Sequence, residues 1–422
     1  MSIKIHRKMC ATFFVLIFLF LTSLSHVNCE ASDDNQRNIT VTYNDGCDIP
    51  ECEGVNGTFY NLVHYRAKGS SDAIHFVWAS VGAPGLLMVR TSLEARLKVD
   101  WKKMVKMSAD AIKFDPANEV YASSAVVLSR IIEYDDPNDT AEITNITNPV
   151  NTDNLTWSNV TIFRNNNTAV FTTELDDAIA ATNGSLSIEV QTAGMEGRME
   201  ELPHLQHTRN TTEFSLILDN LQQTFNHSRF AIELLLVRNQ EMEKDSEIKM
   251  KINPSIDDEH TPAVFETYEV LLNRTSTSKQ GSYLQWKPVV YTMRDRETGN
   301  SKLTKVYELN ENASELYIPN YSVAQAYYGG DFVKVLDVRG FNISFGVSKD
   351  KFYNNTKYYV WSSTMGYGSP PSEGLSILVI SIISAGLGIP VILMIVGGVY
   401  VACQRRLATR SGGTSKYVSI NS

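Results

Sequence analysis

Residues 74–90 read IHFVWASVGAPGLLMVR, and this stretch decides the fold. Two runs rich in β-branched and aromatic residues, 74–80 and 86–90, flank GAPG at 82–85. Glycine and proline break periodic structure, so the pattern reads as a β-hairpin. Further strand-like runs follow at 125–134, 185–191, 214–218, 230–237, 289–293, 341–347 and 357–361. SLSIEVQ (185–191) and FNISFGV (341–347) alternate apolar with polar residues, as a strand does with one face buried and one wet. No long segment with a period of 3.6 competes, and residues 91–107 hold a short helix at most. The expected class is mostly β, with antiparallel sheets packed as a sandwich.

Both ends of the 422-residue chain carry a different signal. Lys4, Arg7 and Lys8 precede an apolar run at 11–24 that is too short to span a bilayer comfortably, and cleavage near Cys29 is expected of such a secretory leader. Residues 375–403 hold no charge over 29 positions, enough at 1.5 Å per residue for the ~30 Å hydrocarbon core with length left for tilt. Four basic and no acidic residues follow in 404–422. The reading is a type I single-pass protein: leader 1–29, lumenal part 30–374, spanning helix 375–403, cytosolic tail 404–422. Setting aside three basic residues of the leader and four of the tail leaves 31 basic against 47 acidic, a net of −16. Such a surface argues against a nucleic-acid partner, which would need a basic face.

The lumenal part is crowded with Asn-x-Ser/Thr acceptors. They stand at Asn38, Asn56, Asn138, Asn145, Asn154, Asn159, Asn166, Asn183, Asn210, Asn226, Asn273, Asn312, Asn320, Asn342 and Asn354. The 31 asparagines of the chain would give about five such sites by chance, and the excess is confined to the lumenal side. An occupied acceptor is exposed, so a glycan coat that keeps proteases off the backbone is expected. Cys47 and Cys52, in CDIPEC, are the only cysteines in that part. They read as a small disulfide ring, since a metal site would want further ligands nearby. Cys403, at the cytosolic membrane face, is either a palmitoylation site or an inert thiol.

Residues 135–168 hold five acceptors and little apolar periodicity, and form a candidate internal boundary or one long glycosylated loop. No GxSxG, HExxH, Walker loop or strand-linked GxGxxG occurs. His204 and His207 (HLQH) behind Glu200 and Glu201 have two ligand-type residues at i and i+3 but stop short of a metal site. Asp257, Asp258 and Glu259 lack the spacing of a calcium loop; as a carboxylate pair for glycoside chemistry they define an alternative, enzymatic reading. Neither a cofactor nor a catalytic residue is expected. In the tail, Tyr417-Val418-Ser419-Ile420 is a Tyr-x-x-Φ pattern, which a clathrin adaptor reads by pairing with the extended backbone and pocketing Tyr417 and Ile420. Within the span, Ser384 and Gly388 form a small-xxx-small pair, with Gly397, Gly398 and a kinking Pro390 beyond.

Six segments together resemble the glycosylated lysosomal membrane protein family: HFVWASVGAPGLLMV (75–89), SRIIEYD (129–135), NGSLSIEVQ (183–191), SIDDEHTPAVFE (255–266), QWKPVVY (285–291) and KYVSIN (416–421). The resemblance implies a heavily glycosylated lysosomal protein without catalytic activity. It also implies an accessory subunit of a lysosomal major facilitator superfamily transporter, a dipeptide carrier, which it protects from proteolysis. The lumenal cysteines depart from the family pattern, so no family disulfide is carried over. A lumenal ligand-binding or sorting receptor is the remaining alternative.

Overall fold

The computed structural model describes residues 36–54, 58–143, 146, 148–175, 180–239, 248–255, 260–272, 281–310, 316–352, 356–372 and 377–411. The leader, the acidic run 257–259 and the tail motif 417–420 lie outside them.

The chain begins sheet I with β1 (Asn38–Tyr43), β2 (Leu62–Lys68), β3 (Ala73–Ala79) and β4 (Gly85–Thr91), each antiparallel to the next. The expected hairpin is present, with Ala73 opposite Thr91 and Ala79 opposite Gly85. Its turn needs a glycine at Gly82, where φ is +71° and a Cβ would collide with the Tyr321 carbonyl. A side hairpin follows, β5 (Arg96–Val99) and β6 (Ile112–Asp115), holding the short helix α1 (Trp101–Val105) between its arms. Asp100 caps α1 by accepting from the Lys103 N–H. The 16-residue β7 (Val120–Asp135) then pairs with β4 along its first half and with β8 (Asn148–Asn151) along its second.

Sheet II starts with β9 (Thr161–Phe163), β10 (Thr168–Glu174) and β11 (Ala180–Gln191). A flap, β12 (Gly197–Arg198) and β13 (Gln206–His207), leads into β14 (Thr211–Leu221), which pairs with β11. The chain crosses to sheet I as β15 (Ser228–Arg238), beside β7. It returns to sheet II as β16 (Lys249–Pro254), β17 (Glu266–Leu271), β18 (Gly281–Trp286) and β19 (Val289–Tyr291). After β20 (Ser301–Val306) come helices α2 (Val323–Tyr328) and α3 (Phe332–Val335), and then β21 (Asp337–Phe345), which pairs with β15 in sheet I. Last, β22 (Tyr359–Gly368) enters sheet II between β14 and β18. Because β20 pairs with both β19 and β21, the two sheets are one continuous ladder folded over. Helix α4 (Ile377–Ser411) ends the described chain.

The main core lies between the sheets. A run of aromatic rings crosses it: Trp78 to Phe214 at 5.2 Å, Phe214 to Trp361 at 6.0 Å, Trp361 to Trp286 at 6.1 Å and Trp286 to Phe341 at 5.3 Å. Edge and offset pairs of this kind add about 0.5–1.5 kcal/mol each beyond burial. A second core covers the outer face of sheet I, where Val77, Leu87 and Leu235 meet Trp101, Phe114, Val323 and Phe332 from α1, β6, α2 and α3. Strands β3 and β15 are therefore buried at every position, although they are antiparallel. Sheet II is covered unevenly: β18, β19 and the first eight residues of β22 are buried throughout, whereas from Ser185 to Val190 half-buried and buried positions alternate along β11.

Candidate functional site

Of the fifteen acceptors, Asn38, Asn138, Asn154, Asn159, Asn166, Asn226 and Asn320 are exposed, and Asn210 and Asn342 are half-buried. Asn183 stands on β11 where its register with β14 shifts. Asn56, Asn145, Asn273, Asn312 and Asn354 lie outside the described residues. The turn bearing Asn226 is fixed from below by Glu133, whose carboxylate accepts from the Thr224 N–H at 2.6 Å and the Thr224 hydroxyl at 2.7 Å. Asn210 is itself part of a clamp. Its Oδ1 accepts from Arg37 Nε at 2.5 Å, and its Nδ2 donates to the Tyr367 carbonyl at 3.1 Å. Arg37 and Arg90 both hold Asp72, at 2.7 and 2.5 Å, and Arg90 lies 4.9 Å over the Tyr367 ring. Burial opposes the charge on Asp72, but the two guanidiniums outweigh it and hold the carboxyl below the usual range. The segment that leads into α4 is thereby tied to both sheets.

Cys47 and Cys52 form a disulfide with Cα atoms 6.4 Å apart, packed against the outer core of sheet I. Val379–Arg406 is the one span of the described residues long and apolar enough to cross a membrane, with a mean hydropathy of 2.6 and none of it buried in the β domain. Pro390 lies within α4, and Cys403 is exposed on it.

The histidines that share HLQH separate. His204, with φ +49°, turns toward an open cleft and uses Nδ1 against the Met199 carbonyl at 2.9 Å. His207 points inward and lies 3.2 Å from Glu213 of β14. The His207 Nδ1 faces the Met195 carbonyl at 2.9 Å, and the ring also hydrogen-bonds the Arg198 backbone. Burial, with Glu200 nearby, pushes Glu213 up to about 8, and burial lowers His207. The His207–Glu213 contact pins the flap to sheet II.

The cleft has a volume of about 430 Å³ and lies between the flap, residues 260–262 and the loop after β19. It gathers Glu200, Glu201, His204 and His260 with Arg294, Asp295 and Arg296. The His204 and His260 rings are 6.4 Å apart, edge to face. Arg296 is nearly buried at its base, with Nε 3.0 Å from Glu201, Nη1 donating to the Leu202 carbonyl and Ser362, and Nη2 to Ser215. Among the described residues no group of three His, Cys, Asp or Glu side chains is placed to hold a metal ion. The arginines and Asp295 had no motif around them.

A β-sandwich followed by a single apolar helix defines a membrane-anchored ectodomain protein. The family model described as glycosylated lysosomal membrane protein matches residues 61–408. A relative in Xenopus laevis, glycosylated lysosomal membrane protein B, is 32% identical over 410 residues, covering 94% of this chain and 97% of the relative. The Danio rerio protein of the family name is 33% identical over 357 residues, 82% and 84% of the two chains. The Homo sapiens one is 29% identical over 375 residues, 86% and 88%. The chain belongs to the glycosylated lysosomal membrane protein family. It is a single-pass glycoprotein of the lysosomal membrane with a large lumenal N-terminal domain.

Proposed function

We propose that this protein is a non-catalytic accessory subunit that shields and stabilises a lysosomal major facilitator carrier, of the dipeptide-transporting kind, against proteolysis. The observation that carries the reading is the seven exposed acceptors distributed over the described surface. Sugars there would form a hydrated cover above a polytopic partner whose own lumenal loops are short of glycans. The apolar helix supports the reading too, since its small residues Ser384, Gly388, Gly397 and Gly398 leave room for close helix approach. Tyr417 to Ile420 would supply the lysosomal address through a clathrin adaptor, and Tyr417→Ala should then move the protein to the cell surface. Purification from lysosomes in mild detergent tests the assignment. One polytopic carrier in stoichiometric yield is expected; recovery of the chain alone would overturn it.

The cleft favours a second reading, a receptor for soluble lumenal ligands. That reading requires saturable ligand capture by the full chain and no stoichiometric carrier.

A further inference from the structure

Three stretches build the outer side of sheet II around the cleft: 184–209, 260–272 and 281–310. None contains an acceptor, although fifteen are spread through the rest of the lumenal part. On this sugar-free side, apolar side chains stand in solvent. Phe265 is 61% exposed beside the buried Val264, Met293 is 61% exposed beside Arg294 of the cleft, and Leu303 is 46% exposed directly opposite Val289. Val264 and Val289 belong to one small cluster with Tyr291, Val360 and Leu202, which brings the backbone at Phe265 and Leu303 together, and Met293 follows Tyr291 by two residues. Charges frame them: the Arg294 side chain is 82% exposed and only loosely paired, 3.4 Å from Asp219, and that of Glu201 is 63% exposed and 3.0 Å from Arg296. Residues 57–137 also lack acceptors, but they are largely the buried strands of sheet I; their exposed side is lysine-rich, with Lys98, Lys102, Lys103, Lys106 and Lys113, and Met107 and Tyr121 are the large apolar side chains it exposes. Aromatic, methionine and arginine side chains are enriched where proteins dock, and lysine is depleted.

We propose that the sugar-free face carrying Phe265, Met293, Leu303 and Arg294 is where this protein docks its partner. The occupant is an unglycosylated lumenal loop of the membrane carrier, presenting apolar side chains with a carboxylate for Arg294. This assignment rests on the accessory reading above. Glycans on the other surfaces then cover the pair from outside, while this face stays open for contact.

A glycan wedge tests it. Phe265→Asn creates a new acceptor in one step, because Thr267 already stands two residues on. Phe265→Asn with Thr267→Val keeps the asparagine and loses the acceptor. Lys106→Asn, completed by Ser108, adds a glycan on the lysine-rich side as a control. Full-length chains are co-expressed with the carrier in cells lacking their own copy; added glycan is read by gel mobility, delivery by lysosomal staining, and capture by carrier recovered in mild detergent. Glycosylated F265N is expected to reach lysosomes and lose at least tenfold in capture, and K106N to lose none. Recovery in the double variant assigns the loss to the sugar; loss there as well, with delivery intact, assigns it to Phe265 itself, and the face stands either way. Met293→Glu, a surface change that folding tolerates, should lower capture at least fivefold. Undiminished capture by both glycosylated F265N and M293E overturns the face alone. A parental chain that captures no carrier overturns the accessory reading and the face with it.

Discussion

The two sheets share one core yet treat their outer faces differently. Sheet I is covered by α1, β6, α2 and α3, and its strands β3 and β15 are buried on both sides. Sheet II keeps an alternating pattern along β11, buries β18 and β19 throughout, and leaves Glu201 and Arg296 lining an open cleft. Layer number, not strand direction, sets which strands read as continuous apolar runs. Sheet I also carries a cluster of deeply buried charges. Arg229, with none of its side chain exposed, is held by Asp136, Asp139 and Asp350 at 2.7, 2.6 and 2.8 Å. Glu233 accepts from Ser129 at 2.6 Å and from Arg130 at 3.0 Å. Sheet I therefore reads as the stabilising half, and sheet II as the half with surface to offer.

The sharpest way to break that contrast is Arg229→Met. Three carboxylates would lose their shared cation, and full-length protein in detergent should be destabilised by about 3–5 kcal/mol in chemical denaturation. A loss under 1 kcal/mol would show that the cluster is not a keystone. Next in size, Leu87→Ala opens a cavity beneath the covering helices and should cost about 2–4 kcal/mol. Ser187→Ala on the outer side of sheet II removes only a hydroxyl contact with Thr172 at 3.1 Å, and should stay within about 0.5 kcal/mol. Equal losses at Leu87 and Ser187 would erase the distinction between the two faces.

A pH dependence of opposite sign also separates the sheets. His64 and His75 of sheet I stack with Nε2 and Nδ1 2.8 Å apart, and His75 also reaches Thr91 at 3.1 Å. Burial lowers them to about 3 and about 2, with neighbouring arginines adding to the shift. The unfolded chain takes up these protons first as pH falls below ~6.5, so their contribution is full above that value and is lost toward about 3, at roughly 1.4 kcal/mol per pH unit for each histidine. Glu213 of sheet II runs the other way. Its carboxyl, raised to about 8, contributes fully below ~4.5 and loses that contribution as pH rises toward 8. Comparing melting temperatures at pH 5 and 7.5, His75→Gln should tilt the balance toward acid and Glu213→Gln toward neutrality. Tilts of the same sign would refute the assignment.

Much of this architecture was legible. The 74–90 hairpin, the strand cores at 125–134, 214–218 and 230–237, and the spanning helix all appear where periodicity and length place them. Strand β2, LVHYRAK, was not, because a histidine and two cations interrupt its apolar pattern, and only the second layer over sheet I explains a buried His64. Helix α2 was missed for the same reason, since VAQAYY is too short for a period to show. The polar keystones were invisible in principle. Ser129 and Arg130 look like surface residues of SRIIEYD until β15 brings Glu233 beside them from more than a hundred positions away. In the cleft, Glu200, Glu201 and His204 stood out in the sequence, but their convergence with His260 and Arg294 depends on three separate returns of the chain.

The account's central claim is protection of a carrier by a sugar-coated companion. It is tested most directly by the carrier's half-life in cells lacking this protein, followed by pulse–chase with and without inhibitors of lysosomal proteases. The account predicts a carrier lost several times faster without the protein and restored by the inhibitors. An unchanged half-life, or a shortened one that inhibitors leave untouched, would contradict it.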